Sequence, residues 1–259
     1  MDGGTPDPYG RIRYRGLIAW PARLEREGPL LRRVLGDAPL DLLDLGCGTG
    51  EHTRFLQTRG HRMTGVDASP YQLRAAREAP PAADGLPPAR FVEGDLAALA
   101  DLVEPGFGGA LCLGNTLPHL ADGATLDRFL AGLASRLTPG APVLLQLLNY
   151  DRILDRGERN FPVTLRPGEA GETVFLRLMT PQADGTVIFT PATLRYRPGA
   201  EPPLELLVAR EVRLRGWRRA ELEAAVTRAG FAVREILGGM TGEPWNPDAQ
   251  DLVIEAARG

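Results

Sequence analysis

The chain has 259 residues, 43% of them hydrophobic, enough to bury a full core and long for one minimal domain. Its formal net charge of -3, with no basic run beyond short arginine pairs, argues against a nucleic-acid partner, because neutralising phosphates needs a clustered positive face. All 30 basic residues are arginine, and a chain without lysine lacks the residue on which P-loop nucleotide hydrolases, protein kinases and pyridoxal-phosphate enzymes depend.

The pattern from Arg13 to Leu35 predicts a helix, with apolar residues at Leu17, Ile18, Trp20, Leu24, Leu30, Leu31 and Val34. Strands and helices then alternate, which argues for a parallel sheet. Strands are expected at Leu42–Leu45, His61–Val66, Arg90–Val92, Gly109–Leu113 and Pro142–Leu148. Helices are expected at Thr53–Arg59, at Leu126–Leu137 and from Ser69-Pro70 to Arg77, where proline takes a favoured first position. After Asn149 the pattern turns β-rich (Thr173–Met179, Thr186–Tyr196, Leu204–Leu214), with turns such as Ala183-Asp184-Gly185. Their alternation predicts antiparallel hairpins with one solvated face. Arg218–Ala229 reads as a helix, and Phe231–Leu237 with Leu252–Ala256 as a closing hairpin.

Chemistry concentrates at the strand ends. The first strand runs into Gly46-Cys47-Gly48-Thr49-Gly50, with Asp44 two residues ahead of the first glycine. A buried strand here enters a turn that only glycines permit, and it leaves backbone N–H groups facing a crevice fit for a nucleotide-like ligand. The spacing is G-x-G-x-G, unlike the G-x-G-x-x-G of dinucleotide binders. Asp67 closes the second strand, where a carboxylate can accept both ribose hydroxyls; a helix-capping acid is the alternative. Asp95 and Leu96 follow the third strand, suited to an adenine amine and ring face, with capping again the alternative for Asp95. The fourth strand ends at Leu113-Gly114-Asn115, and His119 is the histidine nearest this end, either a substrate contact or base or a structural residue.

The segment Asp44 to Gly50 resembles motif I of the class I S-adenosylmethionine (SAM) methyltransferases. Cys112-Leu113-Gly114-Asn115-Thr116 with His119-Leu120, then Asn149-Tyr150-Asp151-Arg152-Ile153-Leu154, resemble the glycine and sarcosine N-methyltransferases. Trp20-Pro21-Ala22-Arg23 is similar to the Trp-x-x-Arg on the lid helix of their bacterial members. The likeness runs from about Leu17 to Leu154. It implies an α/β, Rossmann-like methyltransferase fold: a mostly parallel seven-stranded sheet with helices on both faces, an inserted antiparallel β-cap and an N-terminal helical lid. The expected divisions are a lid at 1–36, the core at 37–155, the cap at 156–216 and completion of the core at 217–259.

The cofactor so implied is SAM, the product S-adenosylhomocysteine, and no metal is expected. Cofactor contacts are expected from Trp20, Arg23, Asp44, Gly46, Cys47, Gly48 and Gly50, and from Asp67, Ala68, Asp95, Leu96 and Leu113. The resemblance gives Arg23 the methionine carboxylate, for which guanidinium is the natural fork. Tyr9, Tyr14 and Trp20 would screen the sulfonium. Asn115, His119 and Tyr150 are the expected catalytic residues, and they line the acceptor with Leu148 and Asn149. The glycine-methylating members carry an arginine where this chain has Leu148, so a less polar amine suits the site better than free glycine.

The expected reaction is in-line methyl transfer to a small-molecule nucleophile, foremost an amine nitrogen. A non-catalytic SAM-binding protein, or an O- or C-methyltransferase of a natural-product-like molecule, are the alternatives. Two cysteines suit a reducing cytosol. With no signal-peptide pattern and no apolar run of membrane-spanning length, the expected location is cytoplasmic, with no membrane partner. The sequence leaves the oligomeric state open.

Overall fold

The structure, a computed structural model, describes residue 16 and residues 18–82, 87–168 and 170–259. Seven strands form one sheet: β1 (Asp41–Leu45), β2 (Arg62–Asp67), β3 (Arg90–Glu93), β4 (Gly109–Cys112), β5 (Pro142–Leu148), β11 (Phe231–Leu237) and β12 (Asp251–Arg258). Their order is β11-β12-β5-β4-β1-β2-β3. The pairs among β1 to β5 are parallel, and β12 runs antiparallel to both β5 and β11. The inner strands are near-continuous apolar runs because helices cover both faces. Alternation sends Leu43, Leu45 and Leu145 into one core with Phe129 and Leu133. It sends Leu42, Leu111 and Leu144 into a second core with Leu31 and Leu56.

Helix α1 (Trp20–Leu35) covers the second core, with α2 (Glu51–Gln57) beside it. Residues 13–15 and 17 of the expected first helix, and Tyr9 and Tyr14, lie outside the described residues. Helix α3 (Pro70–Glu78) starts as its sequence implies: Ser69 Oγ accepts from the Gln72 N–H at 3.2 Å, with proline at the first position. A short helix α4 (Leu99–Leu102) precedes β4, and α5 (Gly123–Arg136) precedes β5. Asp122 caps α5 by accepting from the Thr125 N–H at 2.7 Å.

Three features differ from the sequence expectation. Tyr150–Arg156 forms helix α6, started by Asn149. An additional strand, β6 (Thr164–Gly168), joins β7 (Gly171–Pro181) and β8 (Thr186–Tyr196) in a second, antiparallel sheet. The single strand expected over Leu204–Leu214 is two, β9 (Leu204–Ala209) and β10 (Val212–Arg215), lying end to end along β8. The break faces Pro191 of β8, which has no N–H to offer the ladder.

This second sheet rests on the first. Met179, Val187, Phe189, Val212 and Leu214 share a core with Leu117, Tyr150 and Trp217. The Trp217 indole N–H donates to the Leu117 carbonyl at 3.2 Å. Helix α7 (Arg219–Arg228) then leads into β11. No helix among the described residues is long and apolar enough to cross a membrane.

Candidate active site

Strand order reverses direction between β4 and β1, so their carboxyl ends open a crevice. The loop after β1 is stitched to the end of β2: the N–H groups of Gly46 and Cys47 both donate to the Val66 carbonyl, at 2.7 and 3.1 Å. Gly46 has φ +73°, and a Cβ there would overlap the Thr116 side chain, so two separate constraints demand glycine. Gly48 has φ +54°, and a Cβ there would meet nothing within 4 Å; it faces open space. Asp67 closes onto this turn, accepting from the Gly48 N–H at 2.8 Å and from the Ser69 N–H at 2.8 Å. Ala68, beside it, is exposed.

Other expected cofactor residues sit less openly. Asp44 is 2% exposed and accepts from Thr53 Oγ1 at 2.6 Å. Burial raises its pKa, and its carboxylate braces α2 against β1 inside the protein. Asp95 is exposed and accepts from the Ala97 N–H at 2.8 Å, the capping geometry. Leu96 and Leu113 are buried, and Cys47 and Gly50 complete the loop, with Cys47 half-buried.

Above the loop, α1 carries Trp20 and Arg23. The Arg23 guanidinium lies 5.1 Å from the centre of the Trp20 ring, and His52 meets that ring edge-on at 5.5 Å. Arg23 Nε donates to Glu27 Oε1 at 2.8 Å, and His52 Nε2 lies 2.7 Å from Glu27 Oε2. Burial raises the Glu27 pKa, but His52 and Arg23 together outweigh it and hold the carboxyl below its usual range.

The β4–β5 edge is built differently. Gly114 has φ +73° and faces open space. Asn115 has φ +68°, and its side chain is spent locally: Nδ2 donates to the Tyr150 hydroxyl at 3.1 Å, and Oδ1 accepts from the Leu148 N–H at 3.1 Å. Tyr150 is 0% exposed, and burial pushes its phenol pKa up, so it stays neutral. Asn149 is 1% exposed; its Oδ1 caps α6 by accepting from the Arg152 N–H, and its Nδ2 donates to the carbonyls of Pro247 and Ala249 at 3.2 and 3.0 Å. Tyr150 and Asn149 are therefore interior here, where the sequence expectation put them against the acceptor. Leu148 remains half-buried. His119, on a 3-10 turn (Leu117–His119), keeps exposed surface while protein packs around its ring. That enclosure lowers its pKa to about 4, leaving a neutral imidazole at neutral pH.

The structure adds polar groups that the sequence reading passed over: Glu27, Gln146 and Asp251. One signal was present, a glutamine inside the otherwise apolar run Val143–Leu148. Gln146 is 6% exposed and accepts from the Gly114 N–H at 2.7 Å. Among the described residues no group of three His, Cys, Asp or Glu side chains is placed to hold a metal ion.

With this geometry in place, comparison with known proteins is informative. Residues 42–140 match the family described as methyltransferase domain. Over 146 residues the chain is 32% identical to the glycine/sarcosine N-methyltransferase of Parasynechococcus marenigrum (strain WH8102), covering 56% of this chain and 51% of that one. Over 120 residues it is 36% identical to the trans-aconitate 2-methyltransferase of Paracidovorax citrulli (strain AAC00-1), covering 46% and 42%. The chain thus spans about half the length of the curated relatives it matches. The likeness of fold extends further. A SAM-dependent methyltransferase from Clostridium acetobutylicum ATCC 824 superposes with a TM-score of 0.73 at 15% identity, over 97% of this chain and 96% of that one. SAM-bound CalS10, an amino pentose methyltransferase from Micromonospora echinaspora, does so with a TM-score of 0.72 at 22% identity, over 95% and 94%. Residues 42–140 thus resemble a methyltransferase domain in sequence, and nearly the whole chain shares its fold with SAM-dependent methyltransferases of known structure.

Proposed function

We propose that this protein transfers a methyl group from SAM to a small-molecule nucleophile, foremost an amine nitrogen. The observation that carries the reading is the glycine turn itself. Asp67 grips its Gly48 N–H, while Gly48 and Gly114 face open space on opposite sides of the crevice. A bound SAM supplies an activated methyl group, and the protein's part is to align the acceptor and exclude water. Gly46, Gly48 and Asp67 would hold the nucleoside end, with Asp95 and Leu96 at the base and Trp20 and Arg23 over the methionine end.

On the acceptor side, His119 and Leu148 are the accessible groups. A ring that titrates at about 4 is a weak base at neutral pH, so His119 serves as a hydrogen-bond partner that orients the acceptor. Asn115 and Tyr150 act one layer behind, fixing the turn on which His119 and Gly114 are carried. We assign residues 156–216 the role of a cap that selects the acceptor. The relatives support this division, since an N-methyltransferase and a trans-aconitate 2-methyltransferase each match only about half of the chain. That second relative favours one further reading, O-methylation of a carboxylate. The acidic net charge argues against nucleic acid as the acceptor.

Calorimetry with S-adenosylhomocysteine tests the donor half: wild-type protein binds, and Gly48→Leu, which fills the open space, does not. Mass spectrometry of a metabolite extract incubated with SAM and the protein tests the acceptor half. A product heavier by one methyl group identifies the acceptor, and no methylated product at all would leave a non-catalytic SAM-binding protein.

A further inference from the structure

The second sheet has a face that the chain's own core leaves uncovered. Residues paired across an antiparallel ladder share a face, so the registers decide which side each side chain takes. Met179, Phe189 and Val212 pair in one row, and all three lie in the core shared with the first sheet. Farther along that same face the row Arg166, Thr173, Arg195 and Glu205 is polar, and Arg195 Nη1 donates to Glu205 Oε2 at 3.1 Å. The opposite face is apolar there. Leu165, Val174, Leu194 and Leu206 make one row across four strands, and Leu176, Ala192 and Ala209 make the next. Sequence alternation predicted a sheet with one solvated face. At this end the polar row lies on the side turned toward the core, and the apolar rows on the side turned away.

The outward face is correspondingly wet. Apart from Tyr71, every large hydrophobic side chain exposed among the described residues stands in or beside this sheet: Val163, Leu165, Leu178, Leu204, Leu206 and Leu207, between 42% and 61% exposed. Half-exposed side chains in that number leave on the order of 500 Å² of apolar surface in water, near the upper end of what a monomer presents in one patch. Two copies set face to face would bury on the order of 1,000 Å² from these side chains alone, the size at which a specific interface begins.

A flat apolar sheet face complements another of its kind, since sheets stack with their side chains interdigitated. That is what a two-fold interface demands, because the same patch must serve both sides. The bordering charges agree. Glu172 lies on this face at one end of the β7–β8 hairpin, and Arg213 lies on it near the other end. A two-fold axis running across the strands turns the Glu172 end of each copy toward the Arg213 end of the other. Residues 1–15, with Met1, Tyr9, Ile12 and Tyr14 as their large apolar side chains, offer too little to cover the patch.

We propose that the outer face of the second sheet, centred on Leu165, Leu194 and Leu206, binds a second copy of this chain, giving a two-fold dimer joined back to back through its caps. Each sheet keeps its other side on its own chain, so the two crevices stay separate. The pairing does not depend on the methyl-transfer reading.

Sedimentation velocity on the full chain at micromolar concentration reads the pairing directly, since the dimer has twice the 28.0 kDa mass of one chain. Leu206→Arg and, separately, Leu165→Arg each introduce a charge that a two-fold interface must bury twice, and each should weaken association about a hundredfold or more. Both side chains are exposed in the single chain, so circular dichroism should show both variants folded, with affinity for S-adenosylhomocysteine near wild type. Leu206→Thr, which trims the side chain without adding charge, replaces an arginine variant that does not fold; it should weaken association severalfold. A wild-type chain that sediments as a monomer overturns the dimer, including one that instead floats with vesicles of phosphatidylcholine and phosphatidylglycerol. A dimer that these substitutions leave intact overturns it equally, because its contact then lies on another face. Either result leaves methyl transfer standing.

Discussion

Between β1 and β2 the crevice is walled by backbone. Its turn N–H groups are held by the Val66 carbonyl and the Asp67 carboxylate, and side chains are kept out by Gly46 and Gly48. Between β4 and β5 the wall is made of side chains bound to one another: Asn115 to Tyr150 and to the Leu148 N–H, Asn149 to the loop of Pro247 and Ala249. The first wall leaves space over Gly48. The second is already satisfied and presents mainly Leu148 and His119. A donor common to many enzymes suits a fixed backbone cradle, whereas an acceptor that differs between relatives suits a wall whose surface is set by a few exchangeable side chains.

Substitutions can break this contrast. The largest effect is expected from Asn149→Ala, which strips three hydrogen bonds from a buried site and leaves carbonyls unpaired. Denaturant titration should show a loss of about 3 kcal/mol, with affinity for S-adenosylhomocysteine little changed. If affinity falls as far as stability, the two walls are not separable. Asp67→Ala is the opposite case: affinity for S-adenosylhomocysteine should drop about tenfold or more by calorimetry, while stability shifts by about 1 kcal/mol or less. Tyr150→Phe removes one hydroxyl bonded to Asn115 and should cost about 1 kcal/mol in the same titration. A larger cost would mean that the turn bearing Gly114 depends on that single contact.

The smallest effect concerns pH. Desolvation by the protein around the ring holds the folded His119 pKa at about 4, below the ordinary value for histidine, although the residue keeps exposed surface. As acid is added, the unfolded chain therefore takes the proton before the folded one does. This contribution to stability is complete at neutral pH and falls away as pH drops from the ordinary histidine range toward about 4. Asp251, raised to about 6, acts in the reverse sense over part of that range, since its folded form binds the proton first. Comparing acid titrations of wild type and His119→Asn isolates the histidine: the variant should lose the acid-side decline that His119 contributes.

The donor wall was legible in the sequence because it is local. Strand, glycine turn and helix follow one another from Leu42 to Gln57, and Asp67 ends the very next strand. The helix after Asn149 was missed for a different reason. Seven residues give little periodic pattern, and the cap on Asn149 is completed by a loop about a hundred positions away. Asp251 was invisible for the same cause: nothing near it in the chain marks it, and only the pairing of β12 with β5 brings it beside Leu148 and Gln146. The break between β9 and β10 depends likewise on where Pro191 falls in the neighbouring strand. Tyr150 and Asn149 were placed correctly at the end of β5, but which way their side chains turn is decided by packing against the second sheet and the Pro247–Ala249 loop.

The contact of Trp20 with Arg23 and His52 also has an optical consequence. An indole with a guanidinium over its face and an imidazole at its edge sits in a strong local field, and its emission responds when either neighbour is drawn elsewhere. The other two tryptophans stand apart: Trp217 is fixed to the Leu117 carbonyl, and Trp245 lies under Arg219. Intrinsic fluorescence therefore gives the protein its own label at Trp20, so that ligand arrival near Arg23 can be followed in real time, without modification.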